Sequence, residues 1–285
     1  MRTNLLLGAA MMCVPALYGS TAVIARPVVN MYSGPSDDRD VVSQAILGMN
    51  VGVVEANAGW VRIRTPDEYL GWVQASALNQ TDKTYASTGR VAEVASLYAH
   101  LYREQSVTKH APVLTVPFET RLEVINEAED GEHARWLQVR LPDGGEPWIQ
   151  SGDVIFGAKP LTVPETISLS KRFLGVPYTW GGTSSFGYDC SGFTQMLCRR
   201  RGILMSRDAQ PQADSAAFSP VKGKNKLKPG DLLYFGTSDT KITHTALYIG
   251  GRKFIHATTH DHPVVQISKL DAHWTKILVA MRRPK

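Results

Sequence analysis

A chain of 285 residues is too long for one small domain, and two or three domains is the natural expectation. Hydrophobic content of 43% and charged content of 20% are those of an ordinary soluble globular protein. The formal charge of +5 fits either an anionic partner or simply a mildly basic surface. No basic block with interleaved aromatics occurs, which argues against nucleic acid as a partner.

Residues 1–22 read as an export signal. Arg2 supplies the charge, Leu5 to Leu17 the apolar core, and Ser20-Thr21-Ala22 a small-residue cleavage site, with a cut after Ala16 as the alternative. The core is too short to cross a bilayer, so no stable membrane insertion is expected. Cys13, after Ala10-Met11-Met12, is a poor match to a lipoprotein site. Without the signal two cysteines remain, Cys190 and Cys198, on one predicted helix. Eight residues of helix separate them by about 12 Å, beyond the ~7 Å reach of a disulfide.

From Val23 to about Gln80 short apolar runs alternate with Gly, Pro, Asp and Asn clusters, the texture of a small all-β barrel over 23–80. Residues 88–157 repeat it. Trp136-Leu137-Gln138-Val139-Arg140-Leu141-Pro142-Asp143 echoes Trp60-Val61-Arg62-Ile63-Arg64-Thr65-Pro66-Asp67, and an internal duplication explains both. A further boundary falls at Ala158-Lys159-Pro160, leaving a third domain over 161–285.

In that third region a Gly-rich loop, Tyr178-Thr179-Trp180-Gly181-Gly182, leads to Asp189-Cys190-Ser191-Gly192. Phe193, Met196 and Leu197 recur at helical spacing, so a helix is predicted from Cys190 to about Arg201, capped by Asp189 and stopped by Gly202. A thiol in the first turn meets unpaired N–H groups and the positive dipole end, which should lower its pKa. The alternative is a small Cys buried under the helix.

Downstream, Asp231 to Phe235, His244 to Ile249 and Lys253 to Ala257 read as strands, the last two a hairpin across Gly250-Gly251-Arg252. A three-residue loop would pair Ile249 with Lys253 and place Ala246 opposite His256, with His244 its diagonal neighbour on the same face. A two-residue loop would put the histidines on opposite faces. Cys190, His244 and His256 together form a set suited to acyl transfer, with nucleophile, base and orienting ring.

The elements from Tyr178 to Ala257, in their order and including Leu227-Lys228-Pro229-Gly230-Asp231-Leu232, resemble the catalytic domain of NlpC-type cell-wall cysteine peptidases. The two preceding barrels resemble bacterial SH3-like domains. The resemblance implies an α+β architecture: a papain-like domain with a Cys-bearing helix on an antiparallel sheet, behind two small barrels. It further implies Cys190 as nucleophile, His244 as base, His256 as third member and Tyr178 as a hydroxyl polarising the acyl oxygen.

This domain order is similar to that of γ-D-glutamyl-L-diamino-acid endopeptidases of the dipeptidyl-peptidase VI type. The resemblance implies cleavage of peptidoglycan stem peptides or muropeptides after γ-D-glutamate and before lysine or diaminopimelate, with a free N-terminal L-alanine. By analogy Asp208, in Ser206-Arg207-Asp208-Ala209-Gln210, would bind the α-amino group, joined by Tyr69 and Asp40 from the first barrel. Asp189, Ser191 and Arg207 would surround the γ-D-glutamate and its α-carboxylate. Each also has a plainer role, as helix cap, local ion pair or barrel packing.

A monomer needing no cofactor and no metal is expected, secreted or periplasmic, with the cytoplasm as the alternative compartment. The rival functions are an N-acetylmuramoyl-L-alanine amidase and a non-catalytic wall-binding protein.

Overall fold

The computed structural model describes residues 20–81, 83–127 and 134–285. Most of the proposed leader, Cys13 included, lies outside the described residues. Its last two residues, Thr21 and Ala22, begin strand β1 (Thr21–Ile24) and pair with Gly52 and Val51. Ala22 is fully buried, so processing after it would halve that strand, whereas a cut after Ala16 would leave it whole.

The first sheet continues through β2 (Val28–Tyr32), β3 (Val41–Ile46), β4 (Asn50–Asn57), β5 (Trp60–Arg64), β6 (Leu70–Gln74) and β7 (Leu78–Gln80), in the order β3-β2-β6-β5-β4-β1-β7. Alternate residues point inward, as strand geometry requires: Val29, Met31, Val61 and Ile63 are buried while their neighbours are not. The second sheet holds β8 (Val91–Val94), β9 (Tyr98–Tyr102), β10 (Leu114–Pro117), β11 (Arg121–Glu127), β12 (Trp136–Arg140), β13 (Trp148–Gln150) and β14 (Val154–Phe156). Its order, β10-β9-β13-β12-β11-β8-β14, is the first with every strand advanced by seven. The Trp-led repeat in the sequence is therefore a repeat of topology.

Helix α1 (Val163–Arg172) starts at a capping box formed by Thr162 and Glu165. A two-strand ribbon, β15 (Thr183–Ser184) and β16 (Gly187–Tyr188), precedes α2 (Cys190–Arg199), and a short α3 (Ala209–Asp214) follows. The remaining elements are β17 (Phe218–Pro220), β18 (Leu232–Ser238), β19 (Lys241–Gly250), β20 (Lys253–Thr258), β21 (Val264–Lys269), α4 (Ala272–Ile277) and β22 (Leu278–Pro284). They make an antiparallel sheet of order β17-β22-β18-β19-β20-β21. Helix α2 lies on β19 and β20, and its residues Phe193, Met196 and Leu197 are fully buried against Leu247 and Ile255. The architecture is the expected α+β arrangement.

Both barrels are fastened to this domain. Phe118 of the second barrel enters the third domain's core beside Phe173, ring centroids 5.3 Å apart, and truncating such a ring costs about 3–5 kcal/mol. Arg199 and Arg200 at the end of α2 pair with Glu119 and Glu93. The first barrel touches the loop ahead of α2. Gly181 has φ 74°, and a Cβ there would lie 2.7 Å from Val41 Cγ1, so only glycine lets the barrel approach this closely. Among the described residues no helix is long and apolar enough to cross a membrane.

Candidate active site

Helix α2 starts where Asp189, in extended conformation, accepts a 2.7 Å hydrogen bond from the Gly192 N–H. Gly192 itself abuts the Gly182 carbonyl, which brings the Gly-rich loop against the head of the helix. Cys190 is the first helical residue and only 8% exposed. Burial pushes its thiol up to about 12, and the Asp189 charge adds to the rise. The N–H groups of Thr245 and Ser191 and the Arg207 charge favour the thiolate but do not outweigh burial. The lowered pKa expected from the helix dipole is thus reversed in the free protein, because desolvation exceeds a first-turn dipole. Helix α2 packs against β19, the strand that carries His244.

The hairpin reaches the expected register by a different route. The turn is two residues, Gly251 and Arg252, both in the left-handed region at φ 59° and 57°. A bulge between Tyr248 and Gly250 supplies the extra residue, so Leu247 still faces Ile255 and Tyr248 faces Phe254. The phase is kept, and both histidines emerge on one face. His244 Nε2 lies 2.7 Å from His256 Nδ1. His256 Nε2 lies 3.0 Å from Ser268 Oγ on β21.

Trp274 of α4 closes this pair, its ring centroid 5.5 Å from His244 and 5.1 Å from His256. Burial lowers His244 to about 4, with a smaller contribution from His260. Burial, then the His244 and His260 charges, hold His256 well below the usual imidazole range. Tyr178, bridged to Tyr188, is raised by burial and then by the Cys190 charge, so its phenol remains a proton-bearing donor.

The residues expected around the substrate divide into two groups. Arg207 is 2% exposed, and its fork is occupied: Nη2 donates to Asp189 Oδ2 at 2.5 Å, and Nη1 to Asp189 Oδ1 at 3.0 Å and Ser191 Oγ at 2.8 Å. Its Nε donates to Ser43 Oγ of the first barrel at 3.2 Å. Arg207 therefore pairs with Asp189 rather than with its neighbour Asp208. Asp208 is exposed before α3 and accepts a 3.2 Å hydrogen bond from the Tyr69 hydroxyl. Burial and then the Asp208 charge push Tyr69 up to about 12. Asp40 is exposed just before β3, and among the described residues no hydrogen bond or ion pair joins its carboxylate to Tyr69 or Asp208. It flanks Val41, which seats on Gly181.

Sequence reasoning passed over the residues that join barrel to catalytic loop. Gln44 Oε1 accepts from the Thr183 N–H at 3.1 Å, and Asp67 Oδ2 accepts from Gln195 Nε2 at 2.8 Å. Gln212 Nε2 donates to the Ser191 and Ser206 carbonyls, both at 3.0 Å, tying α3 to α2. Only Asp67 carried a signal, as part of the repeated Pro-Asp step.

A Cys-bearing helix on an antiparallel sheet, behind two small barrels, is the architecture of a papain-like domain with SH3-like modules. Residues 175–283 match the NlpC/P60 family, residues 31–78 the bacterial dipeptidyl-peptidase SH3 domain, and residues 94–156 the YKFC SH3b2 domain. The chain belongs to the NlpC/P60 family of cysteine peptidases. It is 32% identical over 238 residues to the γ-D-glutamyl-L-lysine dipeptidyl-peptidase of Bacillus cereus, covering 78% of this chain and 68% of that protein. To the protein of the same name in Bacillus subtilis it is 29% identical over 260 residues, covering 88% and 83%. A crystal structure of an NlpC/P60 family protein from Bacillus cereus matches with a TM-score of 0.80 at 26% identity, covering 93% of this chain and 99% of that one.

Proposed function

We propose that this protein hydrolyses the bond between γ-D-glutamate and the next residue, lysine or diaminopimelate, in peptidoglycan stem peptides bearing a free N-terminal L-alanine. The observation that carries the chemistry is the His244–His256 contact of 2.7 Å on the hairpin against which the Cys190-bearing helix α2 packs. The Tyr69–Asp208 contact supports the preference for a free amine, because it sets a carboxylate where barrel and catalytic domain meet. The dipeptidyl-peptidase names of the relatives support the bond.

Burial favours neutral thiol and neutral imidazole in the free protein, so the proton moves as the sulfur attacks. Cys190 Sγ adds to the γ-carbonyl of D-glutamate while its proton passes to His244 Nδ1. The Cys190 N–H, which has no intrahelical partner, and the Tyr178 hydroxyl receive the oxyanion. His244 returns the proton to the departing diamino-acid amine, leaving a thioester. Water, deprotonated by the same ring, then releases the L-Ala-D-Glu dipeptide and restores the thiol. His256 holds the His244 ring throughout. Asp208 and Tyr69 bind the alanine ammonium, with Asp40, exposed ahead of β3 on the same barrel, as a further carboxylate for it. Asp189, Ser191 and Arg207 form the floor beneath the glutamate. The names of the cell-wall peptidase relatives support action in the cell envelope.

Chromatography with mass detection on L-Ala-γ-D-Glu-diamino-acid peptides, free and N-acetylated, tests this reading. Release of L-Ala-D-Glu from the free peptide alone is the expected result. Intact tripeptide after incubation, or cleavage only at a muramoyl–alanine bond, would refute it.

A further inference from the structure

We propose that Ser268 is a positioning residue that keeps the His256–His244 pair in the one tautomer able to accept the Cys190 proton; this rests on the function proposed above. Two neutral rings meeting nitrogen to nitrogen share one hydrogen, so the 2.7 Å contact between His244 Nε2 and His256 Nδ1 has two possible directions. The choice is made at the far side of His256, where Nε2 lies 3.0 Å from Ser268 Oγ.

When His256 carries its proton on Nε2 and donates to Ser268, its Nδ1 is bare. It then accepts from His244 Nε2–H, and His244 Nδ1 is free to take a proton. When Ser268 donates instead, every bond in the chain reverses, and His244 Nδ1 already bears a hydrogen. Only the first arrangement also survives the proton transfer. Imidazolium at His244 carries hydrogens on both nitrogens, so Nε2–H needs a bare acceptor on His256; the reversed chain would oppose two N–H groups.

The fold favours the first arrangement. Strand β21 is the last in its sheet, with Ile267 and Lys269 exposed on either side of a partly buried Ser268. The hydroxyl hydrogen can therefore turn to water while a lone pair faces the ring. No other side chain among the described residues hydrogen-bonds this hydroxyl.

Ser268→Val and Ser268→Thr in the full chain separate shape from hydrogen bonding, since both residues suit a strand and only threonine keeps the oxygen. Nitrogen-15 NMR of histidine-labelled protein should show His256 protonated on Nε2 in the parent and in Ser268→Thr, and a mixture of tautomers in Ser268→Val. Turnover of the free tripeptide by Ser268→Val should fall roughly tenfold in kcat with KM unchanged, as expected for a group that orients a general base, and Ser268→Thr should restore it. A parent protein with His256 protonated on Nδ1, or a Ser268→Val variant equal to it in both tautomer and kcat, would overturn the assignment. The NMR readout needs no turnover, so an inactive tripeptide would count against the proposed substrate and leave the tautomer result to decide Ser268.

Discussion

Arg207 grips Asp189 with both prongs of its guanidinium, at 2.5 and 3.0 Å, in a pair of which almost nothing is exposed. Asp189 also caps α2, so the pair fixes the start of the helix that carries Cys190. Ser43 extends the same cluster into the first barrel.

Arg207→Ala should therefore act on folding first. Removing one member of a buried ion pair typically costs about 3–5 kcal/mol, because the other charge is left without a partner. Arg207→Lys should recover only part of this, since an ammonium cannot reproduce the fork. Thermal denaturation reads both, and an unchanged Tm in Arg207→Ala would show that the pair does not secure the helix.

His244→Ala should reduce kcat by roughly 10²–10⁴-fold, the usual contribution of a general base. His256→Ala should be milder, because it loses orientation and not the proton acceptor itself. Cys190→Ala should yield no product at all. Equal losses for the two histidine variants would mean that His256 takes a direct part in proton transfer.

Asp208→Asn should weaken binding of the free-amine peptide by roughly 10–100-fold, matching the ~1.5–3 kcal/mol of a charge-assisted hydrogen bond. Tyr69→Phe should do less. Neither should make the N-acetylated peptide a substrate, so the KM for the free peptide is the informative quantity; a KM unmoved by Asp208→Asn would remove that carboxylate from amine recognition.

Stability should fall on acidification through a defined window. His244 is depressed to about 4 in the folded protein and His256 is depressed in the same direction, so between about 6.5 and 4 the unfolded chain binds more protons than the folded one. Their contribution is complete above about pH 6.5 and is lost as pH drops toward 4. Tm measured across that range should decline more steeply for the parent than for His256→Asn; parallel curves would rule out this pair as the cause.

Much of the arrangement could be read from the chain because it depends on local spacing. The Asp189 cap and the apolar stripe of Phe193, Met196 and Leu197 follow from cap chemistry and helical periodicity. What could not be read depends on residues far apart. The Arg207–Asp189 pair spans 18 residues, and the Tyr69–Asp208 bond, across 139, is reached only through the family resemblance. The bulge at Ile249 has no distinct sequence signature, yet it reconciles a two-residue turn with the required phase. The raised pKa of the Cys190 thiol is likewise hidden, because a helix terminus is visible in a sequence and the depth of burial is not.

The matched strand orders allow the two barrels to be laid over one another residue by residue. Trp60 and Trp136 pair with Gln74 and Gln150, and the connecting loops carry the same backbone bonds, from Thr65 to Tyr69 in one and from Leu141 to Gly145 in the other. The place that holds the Tyr69 phenol in the first copy is thus empty of side chain in the second, where Phe118 is instead embedded in the neighbouring core. The copies share their wiring and make two different contacts: the first sets the Tyr69 hydroxyl on Asp208, and the second seats Phe118 in the core of the catalytic domain. Exchanging their order in the chain would leave a protein with neither.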